Sequence, residues 1–239
     1  MGSSDKTKAF KNVFDDHTRE DIERLSARHL FDELTESVAL GKEANIFSAS
    51  TPSNKEVILK IYRVQSCNFN KMYDYLTQDP RFIGIRKQKR SIVYQWTKRE
   101  FRNLLKAREL GVRVPKPIDF RNNIIIMEKI EEKGRPARQL KDIDLRAKKK
   151  EDVEDLFMKI AESMRLMHQG GLVHGDLSSF NILVSEMNPI LIDFSQGTLK
   201  KSPDYKELLE RDIRNVSESF KKAGITDASD RLKEALSLG

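Results

Sequence analysis

The sequence predicts an α+β protein of two lobes, a small β-rich lobe followed by a reduced helical lobe. The first observation is an alternation of side chains over residues 56–62, which is typical of a strand. One face of this strand carries Val57, Leu59 and Ile61, and the other carries Ile58, Lys60 and Tyr62. The second observation is the helical spacing of apolar residues over 92–110 and 152–169. Strand signals concentrate in the first half of the chain, and helix signals dominate the second.

The remaining elements follow from local signals. We predict, in order, a helix over 16–34, two strands within 37–50, a partly helical insertion over 64–91, paired strands over 118–120 and 123–130, a charged, turn-rich stretch over 131–150, and final helices over 204–222 and 228–238. Gly111 and the pair Gly170-Gly171 predict the ends of the two longest helices. The predicted domains are an amino-terminal helical extension at 1–36, an N-lobe at 37–130 and a C-lobe at 131–239.

Composition limits the class of protein. The chain has 239 residues, 38% hydrophobic and 34% charged, so one two-lobed unit with a sizeable core fills it. Its 44 basic residues exceed 37 acidic ones, giving a net charge of +7, which favours polyanions such as RNA. A soluble lysine-rich protein would have the same composition. The basic cluster in the insertion is either a phosphate-contacting segment or a solvated loop, and consists of Arg81, Arg86, Lys87, Lys89 and Arg90.

Cysteine usage and hydropathy predict a cytoplasmic protein without a membrane segment. Cys67 is the single cysteine, so no intrachain disulfide can form, which fits a reducing compartment. No apolar run approaches the roughly 18 to 20 residues that span a bilayer. The amino terminus also lacks the apolar core of a secretory signal.

Three polar residues in the second half carry the chemistry. Asp176 is followed five residues later by Asn181 and, twelve residues after that, by Asp193, with apolar residues around them. Each is common in turns, but turns do not explain the ordered set that follows His174. Phosphoryl transfer from ATP needs one carboxylate to orient the attacking hydroxyl, and an amide oxygen and a second carboxylate to hold Mg²⁺. The spacing therefore predicts a phosphotransferase.

Six short motifs occur in order along the chain. They are Gly41-Lys42-Glu43-Ala44-Asn45, Leu59-Lys60-Ile61-Tyr62-Arg63, Glu100-Phe101-Arg102-Asn103-Leu104, His174-Gly175-Asp176, Ile192-Asp193-Phe194-Ser195-Gln196 and Glu210-Arg211-Asp212-Ile213-Arg214-Asn215. Together they resemble the RIO family of atypical serine protein kinases, and the compact, archaeal-type form of its first subfamily. The resemblance covers about residues 37–223. It implies a two-lobed protein-kinase-like fold with a β-rich N-lobe and a reduced helical C-lobe.

The resemblance also implies roles for the polar residues. Lys60 would neutralise the α and β phosphates of ATP, with Glu100 as its ion-pair partner. Asp176 would be the catalytic base. Asn181 and Asp193 would hold Mg²⁺, with Mn²⁺ as an alternative ion.

The nucleotide loop and the hinge are implied in the same way. The loop would contact ATP through Gly41, Lys42, Glu43, Ala44 and Asn45. It has neither the Gly-x-Gly-x-x-Gly of ordinary protein kinases nor a P-loop motif, and Ala39-Leu40 stand where the family usually has Ser-Thr, so a hydroxyl contact to phosphate would be missing. At the hinge, Met127 resembles a gatekeeper, while the Glu128 carbonyl and the Ile130 N–H would pair with adenine. A buried strand end is the alternative interpretation of this segment.

The implied function is an ATP-dependent serine kinase or ATPase that phosphorylates itself and acts in maturation of the small ribosomal subunit, with its RNA and proteins as partners. Only 46 residues follow Asp193, too few for an activation loop and a full peptide-docking subdomain, which favours self-phosphorylation or ATP hydrolysis. Two alternatives stay open. One is a small-molecule phosphotransferase of the aminoglycoside or choline kinase type, and the other is a nucleotide-gated assembly factor with little kinase turnover.

Overall fold

The computed structural model describes residues 14–82 and 84–238, which form two compact units. The first unit comprises the described residues up to 77, together with 84–101 and 116–129. The second comprises 78–82, 102–115 and 130–238. The main division therefore lies next to the end of the predicted N-lobe, but two earlier segments belong to the second unit. Residues 1–13, the start of the predicted extension, lie outside the described residues.

The first unit is built on a five-stranded antiparallel sheet. Its strands are β1 (Glu33–Leu40), β2 (Ala44–Ser50), β3 (Glu56–Tyr62), β4 (Pro117–Arg121) and β5 (Ile124–Glu128). The strand order is β1-β2-β3-β5-β4, so β3 is central and pairs with β2 and β5. In this register Lys60 lies opposite Ile46 on one side and Ile125 on the other. Directly paired residues share a face of an antiparallel sheet, so these three side chains project from the same face.

The opposite face of the sheet forms the core of the first unit. Val57, Leu59 and Ile61 lie in this core, as their alternation predicted. Leu25 of helix α1 (Asp16–Ser26) packs against the same cluster. The carboxylate of Asp15 caps α1 by accepting the Thr18 N–H at 2.8 Å. The strand alternation thus separates a packed face from the face that carries Lys60.

Helix α1 is shorter than the predicted helix over 16–34. It ends at Ser26, and His29 adopts φ = 58°, a left-handed conformation that does not continue a right-handed helix. The Asp32 N–H then donates to the Ser50 carbonyl at 2.7 Å, and Leu34 is buried in the core as part of β1. Sheet pairing therefore overrides the helical spacing of the residues after Ser26.

Two further helices are α2 (Phe69–Gln78) and α3 (Lys89–Glu109). Helix α2 lies in the predicted insertion and buries Met72 and Leu76. Helix α3 begins at Lys89 rather than at residue 92, and Gly111 follows it with φ = 84°. The insertion is therefore partly helical, as predicted.

The second unit is mainly helical. Its helices are α4 (Lys150–Gln169), α5 (Tyr205–Lys221) and α6 (Ala228–Ala235). Its short strands are β6 (Glu131–Glu132), β7 (Arg135–Pro136), β8 (Arg138–Gln139), β9 (Leu172–Val173), β10 (Ile182–Ser185), β11 (Asn188–Leu191) and β12 (Thr198–Leu199). Helix α4 buries the predicted apolar stripe, Val153, Leu156, Phe157, Ile160, Met164 and Met167. A Cβ at Gly170 would lie 2.1 Å from the Leu110 side chain, so a larger residue where α4 ends would require Leu110 to move.

The distribution of elements agrees with the predicted α+β class, with the sheet in the first unit and most helical residues in the second. Over residues 14–82 and 84–238, no helix combines the length and the apolarity needed to cross a bilayer. Cys67 is a buried free thiol.

Candidate active site

Lys60 and Glu100 form a buried ion pair in the first unit. The Lys60 Nζ lies 2.7 Å from the Glu100 Oε1, and the side chains are 8% and 1% exposed. Strand β3 directs Lys60 away from the core, and α3 supplies Glu100. A buried lysine needs a counter-charge because an unpaired ammonium is costly to remove from water. The predicted pairing is therefore present, and its role in binding phosphates remains a prediction.

Tyr62 completes this pair and was missed by the sequence analysis. Its Oη donates to the Glu100 Oε2 at 2.6 Å, and the Lys60 Nζ lies 5.1 Å from the centroid of the Tyr62 ring. The two carboxylate oxygens of Glu100 therefore have different donors. The signal was available, because residues two apart on a strand share a face and Tyr62 follows Lys60 by two positions.

We expect Tyr62→Phe to lower the free energy of unfolding by about 1.5 to 3 kcal/mol, because a buried carboxylate loses a hydrogen bond. Less restraint on Glu100 should also raise KM for ATP more than it lowers kcat. Urea denaturation and steady-state kinetics would measure both effects. Tyr73→Phe is the matched control, since Tyr73 lies on helix α2 with its ring beneath Lys87. If the two variants change stability and kinetics equally, Tyr62 has no specific role in supporting Glu100.

The predicted nucleotide loop is a tight turn between β1 and β2. The Gly41 N–H donates to the Ala44 carbonyl at 3.0 Å, and a Cβ at Gly41 would lie 2.7 Å from that same oxygen. Only glycine fits there without a backbone shift. The Ser66 hydroxyl donates to the Lys42 carbonyl at 2.9 Å, and the Arg63 N–H donates to the Glu43 carbonyl at 2.8 Å. The turn is held by its own backbone and by the start of the insertion, while the Lys42 and Glu43 side chains remain exposed.

The Asn45 side chain does not share the face that carries Lys60. Asn45 pairs with Ile61, so it points toward the core face, and it is 3% exposed. Its Oδ1 has no hydrogen-bond partner among residues 14–82 and 84–238. A contact between Asn45 and ATP is therefore predicted through its backbone. Ile46, directly opposite Lys60, is a residue of β2 whose side chain does lie on the Lys60 face.

The predicted hinge follows β5. Met127 is 8% exposed and pairs with Ile58, which places it on the Lys60 face, as expected of a gatekeeper. The Glu128 N–H donates to the Lys116 carbonyl at 2.9 Å, and the Glu128 carboxylate accepts the Lys116 N–H at 2.9 Å. Ile130 is the first residue of the second unit after this strand, and its carbonyl accepts the Ala137 N–H at 3.0 Å. The adenine contacts of Glu128 and Ile130 remain predictions.

A hairpin in the second unit brings Asn181 and Asp193 to the same end. Strands β10 and β11 pair with Ile182 opposite Leu191, so Asn181 and Asp193 flank the open end of the hairpin. The Ile192 N–H also donates to the Asn181 carbonyl at 3.0 Å. Asp193 has φ = 62°, a left-handed conformation that is rare for a residue with a Cβ and that turns the chain into the 3₁₀ turn Phe194–Gln196.

Asp176 is held beside this hairpin by two side chains. The Asn181 Nδ2 donates to the Asp176 carbonyl at 2.7 Å and to its Oδ2 at 3.3 Å. The Asp176 N–H lies 3.3 Å from the His174 Nδ1, and the His174 Nε2 lies 2.9 Å from the Ile192 carbonyl. If Nδ1 accepts, Nε2 carries the proton and donates. His174 is fully buried against the Phe194 ring, so it braces the two loops against each other.

The residues at the hairpin end fit a magnesium ion. Because the Asn181 Nδ2 donates to Asp176, the amide oxygen is the atom that could serve as a ligand. Carboxylate and amide oxygens suit a hard cation such as Mg²⁺. Across the described residues, 14–82 and 84–238, no group of three or more His, Cys, Asp or Glu side chains could bind a metal alone.

Asp212 of α5 anchors the loop that carries Asp176 and was not assigned a role from the sequence. Its Oδ2 accepts the Gly175 N–H at 2.8 Å, and its Oδ1 accepts the Leu177 N–H at 2.7 Å, so the bonds flank Asp176 on both sides. Burial raises the pKa of Asp212 to about 7. Asn215, one turn later, donates to the Leu177 carbonyl at 3.1 Å. The available signal was a carboxylate on the apolar face of a helix.

Comparison with known families agrees with this site. The family described as "RIO domain" matches residues 45–232 of the chain. The chain belongs to the RIO family. The matched range includes Lys60, Asp176, Asn181, Asp193 and Asp212.

Curated relatives carry the name RIO-type serine/threonine-protein kinase Rio1. The Haloferax volcanii protein is 36% identical over 234 residues, which are 98% of this chain and 79% of that protein. The Methanocaldococcus jannaschii protein is 38% identical over 217 residues, or 90% and 72%. Human serine/threonine-protein kinase RIO1 is 30% identical over 213 residues, and this chain covers 37% of its length. The chain is thus a RIO-type serine/threonine-protein kinase, and the archaeal relatives support the archaeal-type assignment.

The fold prediction is confirmed by a solved structure. The Rio2 kinase from Chaetomium thermophilum, in an ADP/Mg²⁺-phosphoaspartate complex, matches with a TM-score of 0.66 and 21% identity, covering 91% of this chain and 69% of that chain. At this identity the likeness concerns the kinase-like α+β fold. Kinase relatives, one of them solved with ADP and Mg²⁺, support the use of ATP and Mg²⁺ by this family.

Proposed function

We propose that this RIO-family kinase transfers the γ-phosphoryl group of ATP to a serine hydroxyl, including one of its own, or to water, and that it acts in maturation of the small ribosomal subunit. The observation that carries the proposal is the restraint on Asp176, which is held by Asn181, by His174 and by a loop anchored on Asp212. These contacts fix the orientation of the Asp176 carboxylate. A residue that orients a nucleophile needs such a fixed orientation.

In the proposed reaction the serine oxygen bonds to the γ-phosphorus while the bond between that phosphorus and the β–γ bridging oxygen breaks. ADP leaves, and the hydroxyl proton passes to the Asp176 carboxylate. Lys60, with its ammonium oriented by Glu100, neutralises the α and β phosphates. Mg²⁺ held by Asn181 and Asp193 would supply charge stabilisation on the phosphate oxygens.

Self-phosphorylation or hydrolysis of ATP is proposed as the main reaction. The Rio2 kinase named above was solved as a phosphoaspartate complex. An aspartyl phosphate would make slow ATP hydrolysis a second outcome of the same site, useful to an assembly factor whose state depends on the bound nucleotide.

The test is incubation of the purified chain with Mg²⁺ and γ-labelled ATP. Free phosphate, label on serine, label on aspartate and label on small amines would be counted separately, using the sensitivity of acyl phosphates to hydroxylamine. We expect self-labelling and free phosphate, and both should be lost in Asp176→Ala. Predominant labelling of a small amine would instead support the aminoglycoside or choline kinase alternative. Family membership favours a protein acceptor.

The proposal of an RNA partner is based on the basic cluster of the insertion. The residues of this cluster differ in exposure and in their contacts. Arg86 and Lys87 are exposed. Lys89 instead donates to the Gln65 carbonyl, and Arg90 lies 3.3 Å from the Asp15 carboxylate. Arg86 and Lys87 are therefore the residues whose charges are best placed to contact phosphates. A ribosomal role also agrees with the expected cytoplasmic location.

We expect the double variant Arg86→Ala/Lys87→Ala to bind small-subunit RNA with a weaker salt dependence. Each lost phosphate contact should reduce the slope of log K against log salt by about 0.7 to 0.9, so two should reduce it by about 1.4 to 1.8. Filter binding at several KCl concentrations measures this slope. Lys148→Ala/Lys149→Ala removes the same charge from an exposed run elsewhere and is the matched control. A slope that changes equally in both variants would show that net charge alone is responsible.

A further inference from the structure

A buried polar network in the second unit connects the insertion to the loop that carries Asp193. Asp79 is 1% exposed, and its carboxylate accepts the Arg81 Nε at 2.9 Å and the Arg81 Nη2 at 2.6 Å. The Arg81 Nη1 donates to the Asn103 Oδ1 at 2.9 Å. All three residues belong to the second unit. Arg81 therefore differs from the exposed Arg86, with which the sequence analysis grouped it.

Asn103 also binds the segment that begins at Asp193, which we call the metal loop (residues 193–197). Its Nδ2 donates to the Phe194 carbonyl at 2.9 Å and to the Gly197 carbonyl at 2.7 Å. These carbonyls belong to the first and last residues of the Phe194–Gly197 turn. A Cβ at Gly197 would lie 2.9 Å from the Asn103 Nδ2, so the close approach depends on glycine.

The direction of the Asn103 amide decides whether this restraint exists. With Nδ2 toward the metal loop, two carbonyls receive hydrogens, and Oδ1 receives one from Arg81. With the amide reversed, Oδ1 would face two carbonyl oxygens, and Nδ2 would face the Arg81 guanidinium. Arg81, fixed by Asp79, selects the productive orientation because a guanidinium only donates. Asn103 is fully buried, so water does not replace a lost partner cheaply.

We propose that Asn103 and Arg81 are positioning residues for the metal loop, so that the Asp79–Arg81 segment of the insertion sets the geometry of the Asp193 carboxylate. This inference rests on the proposed role of Asp193 as a magnesium ligand. Groups that orient a metal ligand are worth about 10- to 100-fold in metal affinity. The insertion thus contributes to the catalytic machinery as well as a basic surface.

The decisive variant is Asn103→Asp, which has nearly the same shape. Its carboxylate keeps an acceptor for Arg81 but has no hydrogen to give to Phe194 or Gly197. We expect about a 10-fold loss in the affinity for Mn²⁺, a spectroscopic substitute for Mg²⁺, in the complex with a non-hydrolysable ATP analogue, followed by electron paramagnetic resonance. Binding of the analogue without metal should change less than 2-fold, because Lys60 and Glu100 belong to the first unit. A role in folding alone would not separate these two measurements.

Arg81→Ala should also lower the affinity for Mn²⁺. If Asn103→Asp does not fold, Arg81→Ala is the variant that tests the positioning role. Arg81→Lys keeps the charge but not the fork that contacts both Asp79 and Asn103, so it should not restore the affinity. Arg146→Ala removes an exposed arginine of the second unit, is the matched control and should bind Mn²⁺ like the native chain.

Asp193→Ala distinguishes the proposed role of Asp193 as a magnesium ligand from the positioning role of Asn103 and Arg81. Should Asp193→Ala leave Mn²⁺ affinity unchanged, the proposed function of Asp193 is wrong. Should Asp193→Ala weaken Mn²⁺ binding while folded Asn103→Asp and Arg81→Ala bind it normally, the positioning role alone is overturned.

Discussion

Asp176→Ala is expected to lower the rate of phosphoryl transfer by about 10² to 10⁴, the usual contribution of a positioned general base. The Asp176 carboxylate is oriented by Asn181, and its backbone is restrained by His174 and Asp212. None of these contacts involves the Lys60–Glu100 pair, so ATP affinity should change little. Single-turnover kinetics and calorimetric titration of ATP would measure the two quantities separately.

Two other variants show whether the loss of rate is specific to Asp176. Asp155→Ala removes an exposed carboxylate that pairs with Lys159 on α4, and it should retain full activity. Lys60→Ala should weaken ATP binding as well as the rate, because in the proposed role the ammonium would contact phosphate in the ground state. Retained activity in Asp176→Ala would transfer the role of base to another group.

Asp212→Asn is expected to have the second largest effect, a loss of up to about 10² in kcat. Its amide oxygen can still accept one of the two backbone N–H groups that flank Asp176, but its NH₂ group faces the other donor. One end of the loop is then released, and misplacement by about 1 Å can cost about 10²-fold in rate. Asp230→Asn, an exposed aspartate on α6, is the matched control.

The raised pKa of Asp212 predicts a pH dependence with a definite sign. Burial raises this pKa from 3.8 to about 7, so between those values the folded chain holds a proton that the unfolded chain releases. The contribution of Asp212 to the free energy of unfolding should therefore fall as pH rises from about 4 to about 7, by up to about 1.4 kcal/mol per pH unit, and then stay constant.

Asparagine does not titrate, so subtraction isolates this contribution. Urea denaturation of the native chain and of Asp212→Asn at pH 5, 6, 7 and 8 should show the native chain losing stability relative to the variant up to about pH 7. The kcat of the native chain should also rise through this range, because the ionised carboxylate accepts both N–H groups. A stability difference that does not vary with pH would show that Asp212 keeps one charge state throughout.

Several elements were predictable because local patterns and tertiary packing agree on them. The alternation around Lys60 corresponds to β3, and the buried stripe of α4 is the predicted one. The first helix was predicted too long because its apolar spacing continues past Ser26, whereas Leu34 is needed in the sheet core. Periodicity is a local property, and it does not report a strand pairing with a residue fifteen positions later, such as Leu34 with Ala49.

The residues of the candidate site also divide into those that could be predicted from the sequence and those that depend on the fold. Asp176, Asn181 and Asp193 could be predicted as candidates from their spacing, which is typical of phosphoryl transfer, and Lys60 from the resemblance of its motif to the RIO family. The nucleotide motif contains Asn45, and the strand register turns the Asn45 side chain toward the core, so its contact with ATP stays a prediction through the backbone. No motif distinguishes a backbone contact from a side-chain contact.

The sequence by itself determined the family and the α+β class and predicted the candidate reacting side chains, because these depend on residue types in a fixed order. The tertiary structure decided which groups support them, namely Tyr62 on Glu100, Asp212 on the Asp176 loop, and Arg81 with Asn103 on the Asp193 loop. Each of these contacts joins side chains distant along the chain or a side chain to a backbone atom. Backbone N–H and carbonyl groups are present at nearly every position, so only the folded geometry shows which of them a side chain binds.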